Sequence, residues 1–139
     1  MTPLSRFLTF VGGERVRRWL QKPLALDAAL GLLVFAIALA VYNSTLTPSL
    51  SYVSPDGNEL VSVSYRLSLA HMTGYPLYTW LGKLFTFLPI ADVAHRTNLM
   101  SAVSASGAAA FVFGSLRLLG ANRIAALFGT FFLAFSTTL

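Results

Sequence analysis

From Leu24 to Val41 the chain runs eighteen residues with one charge, Asp27, near the start. As a helix this stretch rises about 27 Å, close to the roughly 30 Å of a bilayer's hydrocarbon core. A soluble fold seldom has use for such a run, whereas a membrane solvates it on every side. The rest of the chain points the same way. Hydrophobic residues make up 55% of it, charged residues only 11%, and the mean hydropathy is +0.68. A soluble domain carries about a quarter charged residues. The net charge of +5 could indicate nucleic acid, but Arg15, Arg17, Arg18 and Lys22 cluster just ahead of the apolar run. Basic residues collect there to orient a span, so the N-terminus is expected in the cytoplasm and nucleic acid is not expected as a partner. There are no cysteines, which removes disulfides and thiolate metal sites.

The chain divides by composition into a basic N-terminus (1–23), a first span (24–42), an extracytoplasmic loop (43–96), a second span (97–119), a short turn (120–123) and a third apolar run (124–139). Within the N-terminus, Phe7 to Val11 could form the apolar side of a surface helix. Ala38-Leu39-Ala40 has the pattern of a signal-peptide cleavage site, but the apolar run exceeds an ordinary signal core and further apolar segments follow. In the second span Ser101, Ser104, Ser106, Gly107 and Gly114 are small enough for close helix packing. Arg117 and Arg123 flank a turn expected in the cytoplasm. The third run ends unfinished at Leu139, as expected of the N-terminal piece of a longer protein. The expected fold is therefore all-α: a polytopic bundle of transmembrane helices, multi-pass, in the inner membrane if the source is bacterial.

The loop is neither a span nor an ordinary soluble connection. Asp56-Gly57-Asn58-Glu59 opens a stretch with Leu60, Val63, Leu67 and Ala70 at helical spacing, an amphipathic helix of about 12 residues suited to the interface. His71 to Pro76 is punctuated by Gly74 and Pro76 as a turn. Leu77 to Leu88 is aromatic and too short to cross, so it reads as interfacial or re-entrant, and Pro89 ends it.

The loop also holds Asp56, Glu59 and Asp92, three of the chain's five acids. Asp56 and Glu59 lie three apart at a helix start, and two readings fit. Asp56 could cap exposed N–H groups while Glu59 reaches back. Alternatively the pair supplies a carboxylate for acid–base chemistry, with its neighbour as hydrogen-bond partner or metal ligand. His71 is accompanied only by His95, which is thin support for a metal site. Arg66, Lys83 and Arg96 fit lipid headgroups, or one of them could balance a substrate phosphate. Phosphate-loop and nucleophile-elbow patterns are absent.

Three pieces of the loop resemble a known family. Leu46-Thr47-Pro48 with Asp56-Gly57-Asn58-Glu59-Leu60 resembles its "LAP…D-x-G-E" segment. His71-Met72-Thr73-Gly74-Tyr75-Pro76-Leu77-Tyr78 resembles its "HPPGYPLY" turn. Asp92-Val93-Ala94-His95-Arg96-Thr97-Asn98-Leu99-Met100-Ser101 resembles its "DVAWRVNLMSA" approach to the second span. These are the protein O-mannosyltransferase-like membrane proteins (domain of unknown function 2723), similar to the GT-C membrane glycosyltransferases. Here the glycine of the first piece sits one position early, and Met72 and Thr73 replace a proline pair.

The resemblance implies a GT-C-like N-terminal part with interfacial helices in the first extracytoplasmic loop. It implies a polyprenyl-phosphate-linked sugar as donor and a protein, lipid or glycan hydroxyl as acceptor. Asp56 would be the general base and Glu59 its positioning partner. His71, Tyr75, Arg96 and Asn98 would bind substrate, with Arg96 balancing the departing phosphate. A divalent metal (Mg or Mn) would rest on Asp56 and Glu59 if one is used. Such a chain alone would supply one wall of a site. Two other functions remain compatible with the residues: a transporter or flippase-like protein, and a non-catalytic scaffold whose acids are helix caps.

Overall fold

The computed structural model describes residues 24–50, 54–72 and 74–136. The expected surface helix around Phe7–Val11, the basic flank and the last three residues of the third run lie outside the described residues. Those described form five helices and no strand: α1 Leu24–Thr45, α2 Pro55–Arg66, α3 Pro76–Thr86, α4 Val93–Leu118 and α5 Arg123–Phe135. Two of them, α1 and α4, are long and apolar enough to cross a membrane. Leu32, Leu33, Ile37 and Val41 on α1 and Phe111 on α4 are exposed, as suits side chains solvated by hydrocarbon. The chain falls into two compact units, Phe35–Ala108 and the flanking stretches up to Val34 and from Ala109.

In the unit 35–108, α2 and α3 pack on each other. They meet where Gly82 lies against Ser64, so closely that a Cβ on Gly82 would stand 2.5 Å from Ser64 Oγ. The apolar face expected along Leu60, Val63, Leu67 and Ala70 is therefore displaced. Val61, Val63 and Ser64 are the buried residues of α2, because the small Ser64 is what admits the neighbouring helix. Leu67 leaves the helix in the left-handed region (φ 54°) and its amide returns to the Val63 carbonyl, closing the last turn.

The start of α2 also differs from one of the two readings, that in which Asp56 caps it. Ser54 is the cap: its Oγ accepts from the Gly57 N–H at 3.2 Å, and Pro55 takes the first helical position. The second span begins four residues earlier than its composition indicates. Asp92 Oδ1 accepts from the His95 N–H at 2.8 Å and starts α4 at Val93, which carries the polar His95 and Arg96 into the helix. The third helix is shorter than its apolar run, ending at Phe135 with Ser136 extended.

In the other unit, Asp27 near the start of α1 draws in both arginines of the α4–α5 turn. Arg117 Nη2 donates to Asp27 Oδ2 at 2.9 Å and Arg123 Nε to Oδ1 at 2.7 Å. Arg117 also bonds the Ala121 carbonyl. Its side chain is 7% exposed, and a charge so enclosed is tolerable only when paired.

Candidate active site

The three segments that carry the family resemblance come together in the unit 35–108. A cavity of about 280 Å³ is lined by Leu46 and Thr47 from the stretch after α1, by Ser54, Gly57 and Asn58 at the start of α2, and by Asn98 and Ser101 on α4. Its walls are rich in hydroxyls and amides, the groups that exchange hydrogen bonds with a polyhydroxylated ligand. Asn98 Nδ2 donates to the Thr47 carbonyl at 3.2 Å and so ties α4 to the Leu46-Thr47-Pro48 stretch. The middle segment joins from two sides: Tyr78 Oη lies 3.4 Å from Ser101 Oγ, and His71 is held by Glu59.

The predicted site residues separate into distinct places. Asp56 stands in the first turn of α2, exposed, without a hydrogen-bond partner among the described residues, and directly before the lining residues Gly57 and Asn58. Glu59 does not reach back along α2. Its Oε1 accepts from the His71 backbone N–H at 2.8 Å, and its Oε2 lies 2.7 Å from His71 Nδ1. These bonds, the ring's first and the backbone's second, hold the Glu59 carboxyl below the usual carboxylate range. The Tyr75 ring meets the His71 ring at 5.5 Å with an interplanar angle of 64°. Tyr75 itself has φ 42°, in the left-handed region beside Gly74 at φ 82°, which aims its side chain across the turn.

Arg96 sits elsewhere, closing the corner between α3 and α4. Its guanidinium donates to the carbonyls of Thr86 at 2.9 Å, Ala91 at 2.8 Å and Ile90. Three of its five N–H groups are thereby occupied. Lys83 is also engaged: Nζ donates to the Tyr65 carbonyl at 2.6 Å and lies over the rings of Tyr65 and Phe87 at 5.2 and 5.5 Å. Asp92, which caps α4, lies below the usual carboxylate range because the His95 N–H and then the Ser49 hydroxyl donate to it.

The fit to a divalent metal is poor. Among the described residues no group of three His, Cys, Asp or Glu side chains gathers to hold an ion. Glu59 turns both oxygens to His71, and among the described residues no further His, Cys, Asp or Glu gathers with Asp56. Sequence reasoning missed Ser54, Asn58, Tyr78 and Ser101. The signal for Ser54 was present, a serine directly before a proline at a helix start; the others are identified only by what they meet in space.

Fold and site together define a helical protein with two span-length apolar helices and a polar cleft beside an acidic helix start. Residues 56–139 match the family described as the Protein O-mannosyl-transferase TMEM260 N-terminal domain, and the chain belongs to that family. It is 38% identical over 91 residues to the mouse (Mus musculus) Protein O-mannosyl-transferase TMEM260, which covers 64% of this chain. It is 31% identical over 108 residues, 76% of the chain, to the Dictyostelium discoideum protein of the same name. In each case the matched stretch is 13% of the relative's length. No solved structure matches.

Proposed function

We propose that the chain forms the N-terminal part of a multi-pass, GT-C-type membrane glycosyltransferase. The enzyme moves a hexose, mannose by analogy with the named relatives, from a polyprenyl-phosphate-linked donor to a hydroxyl acceptor on a protein, lipid or glycan. The observation that carries this reading is the convergence of the first and third resemblance segments on one hydroxyl- and amide-lined cleft, with Asp56 directly before its lining residues Gly57 and Asn58 and the second segment touching it through Tyr78 on Ser101. The basic residues before α1 favour a cytoplasmic N-terminus. That puts the loop, and with it the cleft, on the opposite face of the membrane.

In the reaction, Asp56 takes the proton of the acceptor hydroxyl. The acceptor oxygen bonds to the anomeric carbon as the bond from that carbon to the phosphate oxygen breaks, and the lipid phosphate leaves with the electron pair. Arg96 is held on the Thr86, Ile90 and Ala91 carbonyls away from the cleft, so the leaving charge is assigned to no cation of this unit. Asn58, Asn98 and Ser101 hold sugar hydroxyls. The scaffold alternative loses its main support, because Ser54 rather than Asp56 caps α2.

The test is transfer from polyprenyl-phosphate mannose to a Ser/Thr peptide by native membranes carrying Asp56→Asn. A loss of at least about a hundredfold at unchanged membrane level is expected for a missing general base. Wild-type turnover would remove Asp56 from the chemistry.

A further inference from the structure

Glu59 and His71 have no chemical step in the scheme above, yet Glu59 grips His71 at two points across twelve residues of chain, at the backbone N–H and at ring Nδ1. An ionised carboxylate has no proton to give, so His71 must donate both bonds. Nδ1 therefore carries the hydrogen, and in the neutral ring Nε2 is left with a lone pair. Holding backbone and ring together fixes the direction of the ring as well as its tautomer. The ring is not walled in, because the His71 side chain is 44% exposed. Tyr75, whose ring meets that of His71, is 41% exposed. An acceptor nitrogen beside an accessible aromatic ring is a combination suited to a hydroxylated ligand: the nitrogen takes an O–H, and the ring covers apolar C–H surface.

We propose that Glu59 is a positioning residue that locks His71 in the Nδ1–H form, so that Nε2 accepts a hydrogen bond from a hydroxyl of the transferase's substrates. This rests on the transferase reading for the identity of the ligand but not for the state of the ring. The hydroxyl belongs either to the donor's sugar or to the acceptor, and the two have the same chemistry at Nε2.

The ring is read directly by ¹⁵N NMR of the histidine-labelled full-length protein in lipid nanodiscs, with the His71 signal assigned by its loss in His71→Asn. His71 should show a protonated Nδ1 and a bare Nε2, and Glu59→Gln should admit the second tautomer. A wild-type ring protonated at Nε2 instead overturns the proposal, whatever the enzyme does. The ligand contact is read from His71→Asn in the membrane assay. Asparagine can still donate to Glu59 from the Nδ1 position but has nothing at Nε2. The KM for the hydroxylated substrate should rise about tenfold, the loss of one hydrogen bond, with kcat little changed. A purely structural latch would leave KM at its wild-type value, and that result also overturns the proposal. If the rise persists when the donor is hydrolysed without acceptor, Nε2 holds the donor's sugar; if it is confined to transfer, Nε2 holds the acceptor. An unchanged KM in His71→Asn with an inactive Asp56→Asn refutes the His71 contact and leaves the transferase standing. Full activity in Asp56→Asn refutes the role of Asp56, and the NMR result still decides the tautomer.

Discussion

Replacing Gly82 by alanine tests the α2–α3 packing that holds the acidic helix start in place. The added Cβ would lie 2.5 Å from Ser64 Oγ and 2.8 Å from Ser64 Cβ. Ser64 is fully buried, so its side chain has no open space to swing into. Overpacking of this kind costs about 1–3 kcal/mol. Against it, alanine is the better helix former by about 0.8–1 kcal/mol. The net expectation is a loss of up to about 2 kcal/mol, seen as a melting temperature as much as a few degrees lower by circular dichroism in detergent. Removing the obstructing atoms should restore it, so Ser64→Gly combined with Gly82→Ala should melt above Gly82→Ala alone. Ser64 Oγ has no hydrogen-bond partner among the described residues, so deleting it breaks no polar contact there. A single Gly82→Ala variant more stable than wild type would mean that the helices do not approach at this point, and the close packing of α2 on α3 would be refuted.

Arg96→Leu should cost about 2–3 kcal/mol, since hydrogen bonds from a charged group to three carbonyls are lost together. It should also speed chymotrypsin cleavage at Phe87; Arg96→Lys should recover less than half, because one ammonium cannot span the three acceptors. Glu59 and Asp92 have depressed carboxyl pKa values in the folded chain. Their contribution is therefore complete at neutral pH and is lost as pH falls from the usual carboxylate range through those lowered values. Thermal unfolding followed against pH should show this acid limb, and Asp92→Asn should flatten it; an unchanged limb would contradict the His95 and Ser49 bonds. Asp27→Leu should destabilise by about 3–5 kcal/mol by leaving Arg117 enclosed without its partner. The double change with Arg117→Leu should cost less, and equal losses in detergent unfolding would argue against the ion pair.

Whatever depends on local composition was legible in the sequence. The apolar run after Leu24 and the small-residue run up to Leu118 became the two span-length helices, and Pro76 and Pro89 bracket the short aromatic one. Helix starts were harder, because several residues in a row can cap. Asp56 has the right chemistry, but Ser54 stands one place before Pro55, and proline's fixed φ favours the first helical position. The buried face of α2 departs from the helical period for a related reason. Helical period selects Leu67 and Ala70, but the chain turns at Leu67, and what faces α3 is decided by the small pair Ser64 and Gly82 rather than by apolarity. Long-range partners carry no local signal. Asp27 and Arg117 are ninety residues apart in sequence, and each alone looks like an ordinary residue near the end of a span.

The division of labour between Asp56 and Glu59 follows from the same facts. Three residues apart on one helix, the two acids share a face and look equivalent in the sequence. Because Ser54 already satisfies the helix start, neither acid is needed as its cap. Side-chain length then separates them. Glu59, one methylene longer and a turn further along, spans to the 67–75 turn and spends both oxygens on His71. Asp56 is too short for that reach and stays exposed, directly before the cleft-lining Gly57 and Asn58. A carboxylate already holding two hydrogen bonds is a poor proton acceptor and a good fixture, which suits Glu59 to holding His71. The turn that brings His71 within reach depends in its turn on Gly74 and Tyr75, both held at positive φ. For tyrosine that conformation costs about 1–2 kcal/mol, and backbone strain of this kind persists where surrounding contacts over-determine it. Here those contacts are the grip of Glu59 on His71 and the meeting of the two rings.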